Sequence, residues 1–501
     1  MRTCYVLSAI YVCWSRKMII QKKWGSFKTL CIFVLCFCLG LVLLNLSHLK
    51  CVKQENTNRF ESHLRAPKPA VDSPIYVVYG KRVDTGHLRH VFDMFKLFGY
   101  ERRDLNASKW DVMWAHDYPF QKLYSSVKNL KPHQKINHFP GSGFITNKMD
   151  LATTGLTFIP KAFKIPQQKE QLLQYAKTHT LKKFVQKSND HRGIKIKKFD
   201  EINFTQNDSF VQEFIDNPLL VDGYKFDIGV YTIITSFDPL RVYIYNGDAL
   251  FRYCPEKYYP FDDKHLDKYV VGDNYLPTWE VPSLRKLYKD MGYSMKQSFN
   301  GYMKLTGRDP SIIWQKIEEA IKEICLNKEP QVLKYLSLYK SKRNFFEMVR
   351  FDFVVDNDLN VFVMEVNMSP NLSSAHFLEN QILYEQVLYN LFHLLNFGNN
   401  GFLKKRNIQV SDKNIVVNPE VCSGCSECMA PECELCLQCL NSESKAIIKD
   451  AYLEHTNKHD CKRIFPSNVD DEMLYDGTLS PENRFMVKWF KAKCSEDKSW
   501  C

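Results

Sequence analysis

The stretch RFDFVVDNDLNVFVMEVN, Arg350 to Asn367, reads as two apolar strands around a polar turn. The β-branched and aromatic runs Phe345–Val355 and Val361–Val366 favour extended backbone, and Asp356-Asn357-Asp358 supplies turn chemistry between them. Alternate residues of a strand share a face, so Glu365 and Asn367 point the same way. With a four-residue loop from Asn357 to Asn360, antiparallel pairing sets Asp352 opposite Glu365. Three oxygen-bearing side chains then meet at one end of a hairpin otherwise built from Val, Phe and Met. Magnesium takes hard oxygen ligands and commonly bridges to nucleotide phosphates. Spacing alone leaves two readings open: a metal site at Asp352, Glu365 and Asn367, or an edge hairpin whose acids face water.

The pattern around the hairpin is mixed. Upstream, strands are expected at Lys183–Gln186 and Ile194–Phe199, joined by the polar, glycine-containing loop Lys187 to Gly193. Others are expected at Phe210–Ile215, Phe226–Thr235 and Arg241–Tyr245. Ser311–Leu326 has Ile312, Ile313, Ile317, Ala320 and Ile321 at helical spacing. After the hairpin, Met368-Ser369-Pro370 ends the strand, and a helix is expected over Phe377–Leu395. Nearer the N-terminus, a strand at Ile75–Tyr79, an amphipathic helix over Gly86–Tyr100 and a strand at Asp111–Trp114 suggest a small βαβ-like unit. The predicted class is α+β without internal repeats: an α/β domain at 73–157, a core at 158–396 and a separate cysteine-rich tail at 397–501.

At 501 residues, 45% apolar and 25% charged, the chain is globular, with room for two or three domains. A net charge of +12 favours an acidic partner or anionic ligand. Zinc-finger spacing, an aromatic RNP-like stripe and a basic helical arm are all missing, so nucleic acid is not indicated. TLCIFVLCFCLGLVLL, Thr29 to Leu44, carries no charge and its apolar character runs to Leu46, about 18 residues and just enough to span a bilayer. Arg16, Lys17, Lys22, Lys23 and Lys28 precede it, and only Lys50, Lys53 and Arg59 follow closely. The positive-inside bias therefore predicts a type II single-pass anchor at 29–46, between a basic tail at 1–28 and a polar stem at 47–72. A cleaved signal peptide is the other reading, opposed by the long basic lead and the lack of a small-residue cleavage site. Cys422, Cys425, Cys428, Cys433, Cys436 and Cys439 crowd one short run. In a reducing compartment such pairs suggest Zn2+; in a lumen they oxidise to disulfides, which the charge bias of the anchor favours.

A set of short motifs, in order from Lys135 to Asn371, resembles the tubulin–tyrosine-ligase-like family. They are Ile136-Asn137-His138-Phe139-Pro140-Gly141, Phe158-Ile159-Pro160-Lys161-Ala162-Phe163, Arg192-Gly193-Ile194, Val211-Gln212-Glu213-Phe214-Ile215, Lys225-Phe226-Asp227, Phe351-Asp352, and Glu365-Val366-Asn367 with Ser369-Pro370. Each is weak alone; the ordered set covers roughly half the chain. The resemblance implies an ATP-grasp ligase core that uses ATP and Mg2+ to join amino acids to protein carboxyl groups. It implies that Lys187, Arg192 and Gly193 cover the phosphates, with the loop register leaving either Gln186 or Lys187 at the position where the family carries its cation. Gln212, Glu213, Phe214 and Ile215 would hold the adenine, and Lys225, Asp227 and Asn274 the nucleotide. Lys225 also serves the acyl phosphate, and Arg252 grips the carboxylate of the incoming amino acid. Asp352, Glu365 and Asn367 become the Mg2+ ligands. Most such enzymes add glutamate to glutamate side chains of tubulin tails, an acidic acceptor that suits the basic balance of this chain.

Two departures bear on activity. The family usually carries arginine two residues after the aspartate of Lys-Phe-Asp, where this chain has Gly229. Of its His-Leu-Thr-Asn stretch only Asn274 remains. A nucleotide-binding pseudoenzyme is therefore a competing expectation. A type II secretory-pathway glycosyltransferase, with Asp356-Asn357-Asp358 as its metal motif, is a third.

Overall fold

The computed structural model describes residues 73–188, 195–397, 410–467, 472–474 and 477–501. The predicted basic tail, anchor and stem all lie outside the described residues, as do Arg192 and Gly193. Among the described residues no helix is long and apolar enough to cross a membrane.

The first sheet is wholly parallel, in the order β2-β1-β3-β4: β1 Ile75–Tyr79, β2 Glu101–Arg102, β3 Val112–Ala115 and β4 Lys135–Ile136. Helix α1, Arg89–Leu97, buries Val91, Met94 and Phe95, the face expected from its periodicity. The motif from Ile136 to Gly141 fastens this sheet to the rest. Asn137 accepts from the Ala115 amide and donates to its carbonyl, while His138 meets Glu347 at 2.6 Å with both side chains fully buried. Gly141 has φ +88°, and a Cβ there would sit 3.2 Å from the Val332 backbone. One apolar cluster runs from Val77 and Phe95 through Ile228 and Phe351 to Leu388, so the predicted boundary at 157/158 separates no independent cores.

Two further sheets face the site. The antiparallel sheet β5-β8-β6-β7 consists of β5 Ala162–Ile165, β6 Phe184–Ser188, β7 Lys195–Lys197 and β8 Ser209–Glu213, with helix α2, Lys148–Ala152, before it. The central sheet is built on the long strand β10, Tyr224–Phe237, preceded by β9, Leu220–Val221. One edge of β10 carries β11, Leu240–Tyr245, and β12, Leu250–Tyr253, itself paired with β13, Leu276–Pro277. Its other edge carries β14, Glu347–Val355, followed by β15, Val361–Asn367.

The predicted pairing of Asp352 with Glu365 is present, though by a different route. Val355 pairs with Val361, so the loop has five residues rather than four, and a bulge beyond Phe353 restores the register. Asp356 accepts from the Asp358 and Asn360 amides and from Asn360 Nδ2. That carboxylate closes the turn, which accounts for the Asp-x-Asp without a metal. Helix α3, Ser311–Leu336, runs ten residues past its predicted end at Leu326 despite Pro330 inside it. Buried Val332 and Leu336 hold the extra turns, and Glu329 accepts from Asn483 Nδ2 at 2.7 Å. Tertiary packing outweighs local propensity there. Helix α4, Gln381–Leu394, closes the core over α1.

The C-terminal region is not a separate tail. Strand β16, Cys461–Phe465, extends the central sheet by pairing with β11. Helices α5, Ser442–Thr456, and α6, Pro481–Glu496, form their own core around Trp489 and Ile448. Glu454 on α5 accepts from Arg241 Nε at 2.8 Å, Arg241 NH2 at 3.0 Å, Thr235 and Tyr243, all buried. Removing one partner of such a pair strands the other charge. E454A should therefore lower unfolding stability by about 3–5 kcal/mol in a urea titration, and E454Q by less.

The Zn2+ expectation is corrected in this region. Cys422–Cys436, Cys425–Cys433 and Cys428–Cys439 are disulfides, and Cys494–Cys501 is a fourth. All six crowded cysteines are therefore oxidised, leaving no thiolate to ligate a metal.

Candidate active site

The strand order β12-β10-β14-β15 lines up a row of charges. Asp227 pairs with Arg252, Gly229 with Asp352, and Asp352 with Glu365. Above this row lies a cleft of about 500 Å³, within the usual ~300–1,000 Å³ of small-molecule sites. The β5–β8 sheet forms its other wall, contributing Val185, Lys187 and Phe210, with Phe214 just beyond β8. Val354 and Met364 add apolar surface, while Lys148, Lys187, Lys225 and Arg252 all line the same space.

The charges are held rather than solvated. Lys148 meets Glu365 at 2.8 Å. Burial favours the neutral Glu365 carboxyl, but Lys148 outweighs it, helped by Asn367 and Arg350, and holds the group down at about 2. Glu365 is thus an anionic oxygen donor throughout the physiological range. Lys187 donates to Gln212 Oε1 at 3.0 Å, and burial lowers its ammonium to about 8, with Lys148 and Lys225 acting in the same direction. Lys225 donates to the Tyr269 carbonyl at 2.8 Å instead of pairing with Asp227. Arg252 forks onto Asp227 at 2.9 and 2.7 Å and reaches Asp352 at 2.9 Å. Burial raises the Asp227 carboxyl, Arg252 opposes this, and Asp352 reinforces it. Asn367 Nδ2 donates to both Asp352 and Glu365.

A profile of the Tubulin-tyrosine ligase family matches residues 125–400, more than half of the chain and a range that contains every group just described. The chain belongs to the tubulin-tyrosine ligase family. Similar proteins include the "Probable tubulin polyglutamylase ttll-15" of Caenorhabditis elegans, 43% identical across 85% of this chain and 87% of that protein. The "Tubulin polyglutamylase TTLL6" of Mus musculus is 30% identical over 58% of the chain but 37% of its own length. The "Tubulin monoglutamylase TTLL4" of Homo sapiens is 27% identical over 64% and 27% respectively.

Of the residues the family motifs single out, Lys187, Phe214, Lys225, Asp227, Arg252, Asp352 and Glu365 line one cleft. Gln212 is buried behind Lys187, and Asn367 lies between the two carboxylates. Glu213 turns elsewhere: it accepts from Tyr175 and pairs with Lys182. Ile215 is half-buried and outside the lining, and Asn274 is exposed, the wall there being made by Tyr269 to Asp273. The expected grip of Arg252 on an amino-acid carboxylate meets an arginine already forked onto Asp227. Two important members carry no motif signal, Lys148 and Arg350. Lys148 comes from α2, more than two hundred residues before Glu365. Arg350 donates to both oxygens of Asp352, at 2.6 and 2.8 Å. Alternation along β14 does place it on the face of Asp352, which was the one available sign.

Proposed function

We propose that this chain is an ATP- and Mg2+-dependent ligase that adds glutamate to glutamate side chains of an acidic protein acceptor. The observation that carries the reading is the pair of opposed carboxylates, Asp352 and Glu365, beneath a cleft lined by four cations. Hard anionic oxygens beside clustered cations suit a metal-bound polyphosphate, and the apolar wall at Val185, Phe210, Phe214 and Met364 suits a flat base. Asp352 and Glu365 would hold Mg2+, and half a turn of the Asn367 amide would present its oxygen as a third ligand. ATP bound there would supply the phosphoryl group that turns a carboxylate into an acyl phosphate with ADP leaving, and an amine would then displace phosphate and give up a proton to form the amide. Lys187 and Lys225 would neutralise charge on the transferred group, while Arg252 holds Asp227 and Asp352 in place beneath it.

Tubulin, the acceptor in the printed names of the relatives, tests the chemistry in vitro, while a lumenal catalytic body would meet a different acidic acceptor in the cell. The positive net charge favours any acidic tail. We also propose a type II membrane orientation with the catalytic body in an oxidising lumen. Four disulfides support it, as does the burial of the three unpaired cysteines among the described residues, Cys254, Cys325 and Cys461. Protease protection on sealed membranes tests the orientation; digestion of the catalytic body without detergent would contradict it. The full chain should transfer labelled glutamate to tubulin or to a glutamate-rich polypeptide when ATP and Mg2+ are present. Absence of transfer to every such acceptor would overturn the ligase reading.

The lowered Lys187 ammonium sets a pH dependence. A bound polyphosphate stabilises the protonated form, so nucleotide affinity is level below pH 8. It should fall about tenfold per unit as pH rises beyond that, until the bound-state pKa is reached. K187R keeps its charge and should flatten the profile measured by calorimetry.

A further inference from the structure

Gly229 stands mid-strand in β10 with Leu250 on one side and Asp352 on the other, and its backbone has no positive φ that would call for glycine. Glycine in a strand interior weakens the strand and marks a place where another group approaches closely. Here the approaching group is identified. A Cβ at 229 would lie 2.8 Å from Arg350 Cδ, 3.1 Å from its Nε and 3.3 Å from Leu250 Cβ. Arg350 springs from β14 opposite Tyr231 and lays its side chain diagonally across Gly229, and its guanidinium takes both oxygens of Asp352. The arginine is 5% exposed and is not among the cleft lining, so it acts through Asp352 from behind.

We infer that the guanidinium absent at position 229 is delivered to the same place from the neighbouring strand, and that Arg350 is the positioning residue that orients Asp352 for the metal. Gly229 and Arg350 are then one unit: the glycine exists to admit the arginine. On this reading Gly229 is no mark of a dead enzyme, because the charge has been moved rather than lost. A bidentate fork fixes the plane of the Asp352 carboxylate in a way that a lysine cannot. The inference rests on the proposal that Asp352 is a Mg2+ ligand.

The test is a transposition cycle on the full chain: G229R, R350G, R350K and the double variant G229R/R350G. Two readouts are taken, the melting temperature and the apparent Mg2+ affinity of ATP binding by calorimetry. G229R should melt lower than the parent because its Cβ collides with Arg350. R350G and R350K should weaken the apparent Mg2+ affinity at least tenfold, a parameter that a merely structural arginine would leave alone. The double variant should melt above both singles and regain Mg2+ affinity to within about threefold of the parent. Additive melting shifts would show that the two positions share no space and overturn the inference. So would a double variant that melts like the parent yet binds Mg2+ no better than R350G. If the parent binds no ATP at all, the ligase reading fails separately, while the melting cycle still reports on the shared position.

Discussion

Replacing Glu365 by glutamine should lower glutamate transfer by on the order of 10³-fold while leaving the fold in place. The substitution keeps the shape of the side chain and removes its charge. Lys148 and Asn367 both touch this carboxylate, and their combined effect keeps it ionised down to about pH 2. An amide cannot replace that anionic donor opposite Asp352, so the metal site loses one of its two charges. The side chain is 29% exposed, so its neutral isostere should move the melting temperature by no more than a few degrees. A transfer rate within threefold of the parent would show that Glu365 holds no catalytic metal.

The second large effect falls on Arg252, whose guanidinium holds Asp227 and Asp352 together. R252A leaves the buried Asp227 carboxylate without its ion-pair partner and Asp352 with Arg350 alone. Breaking a buried pair in this way costs about 3–5 kcal/mol, and glutamate transfer should fall by on the order of 10²–10³-fold. The pH dependence follows from linkage. Asp227 already has a raised carboxyl pKa in the folded protein, and loss of Arg252 raises it further. A group that binds its proton more tightly when folded stabilises the fold at low pH and loses that contribution as pH rises through the folded value. The stability deficit of R252A should therefore shrink as pH is lowered from neutrality, which denaturation at several pH values checks. R252K restores the charge without the fork and should recover stability better than activity.

Legibility in the sequence followed the distance between interacting residues. The hairpin is readable because period-two alternation and turn chemistry are local, and even there the loop is one residue longer than the alternation predicts, with a bulge compensating. The cleft residues on β10, β12 and β14 were named by motif, but nothing local says that strands more than a hundred residues apart are neighbours. Pairing Gly229 with Asp352 is what turns an apparent defect at 229 into a place for Arg350. Lys148 sits on a short helix whose pattern reads as surface, and only the fold brings it to Glu365. The C-terminal strand Cys461–Phe465 is five residues long and carries Lys462 and Arg463, so its composition gave no sign that it completes the sheet at β11. Disulfide pairing, rather than spacing, decided between the two chemistries open to the crowded cysteines.

The hairpin of Asp352 and Glu365 is the proposed metal site for nucleotide phosphates. Calorimetric titration of ATP into the full chain, with Mg2+ and again with the metal chelated, addresses this most directly. Saturable ATP binding should appear with Mg2+, weaken by at least tenfold on chelation, and lose most of that metal dependence in D352N and E365Q. Equal affinity with and without metal, or preference for a sugar nucleotide over ATP, would contradict it.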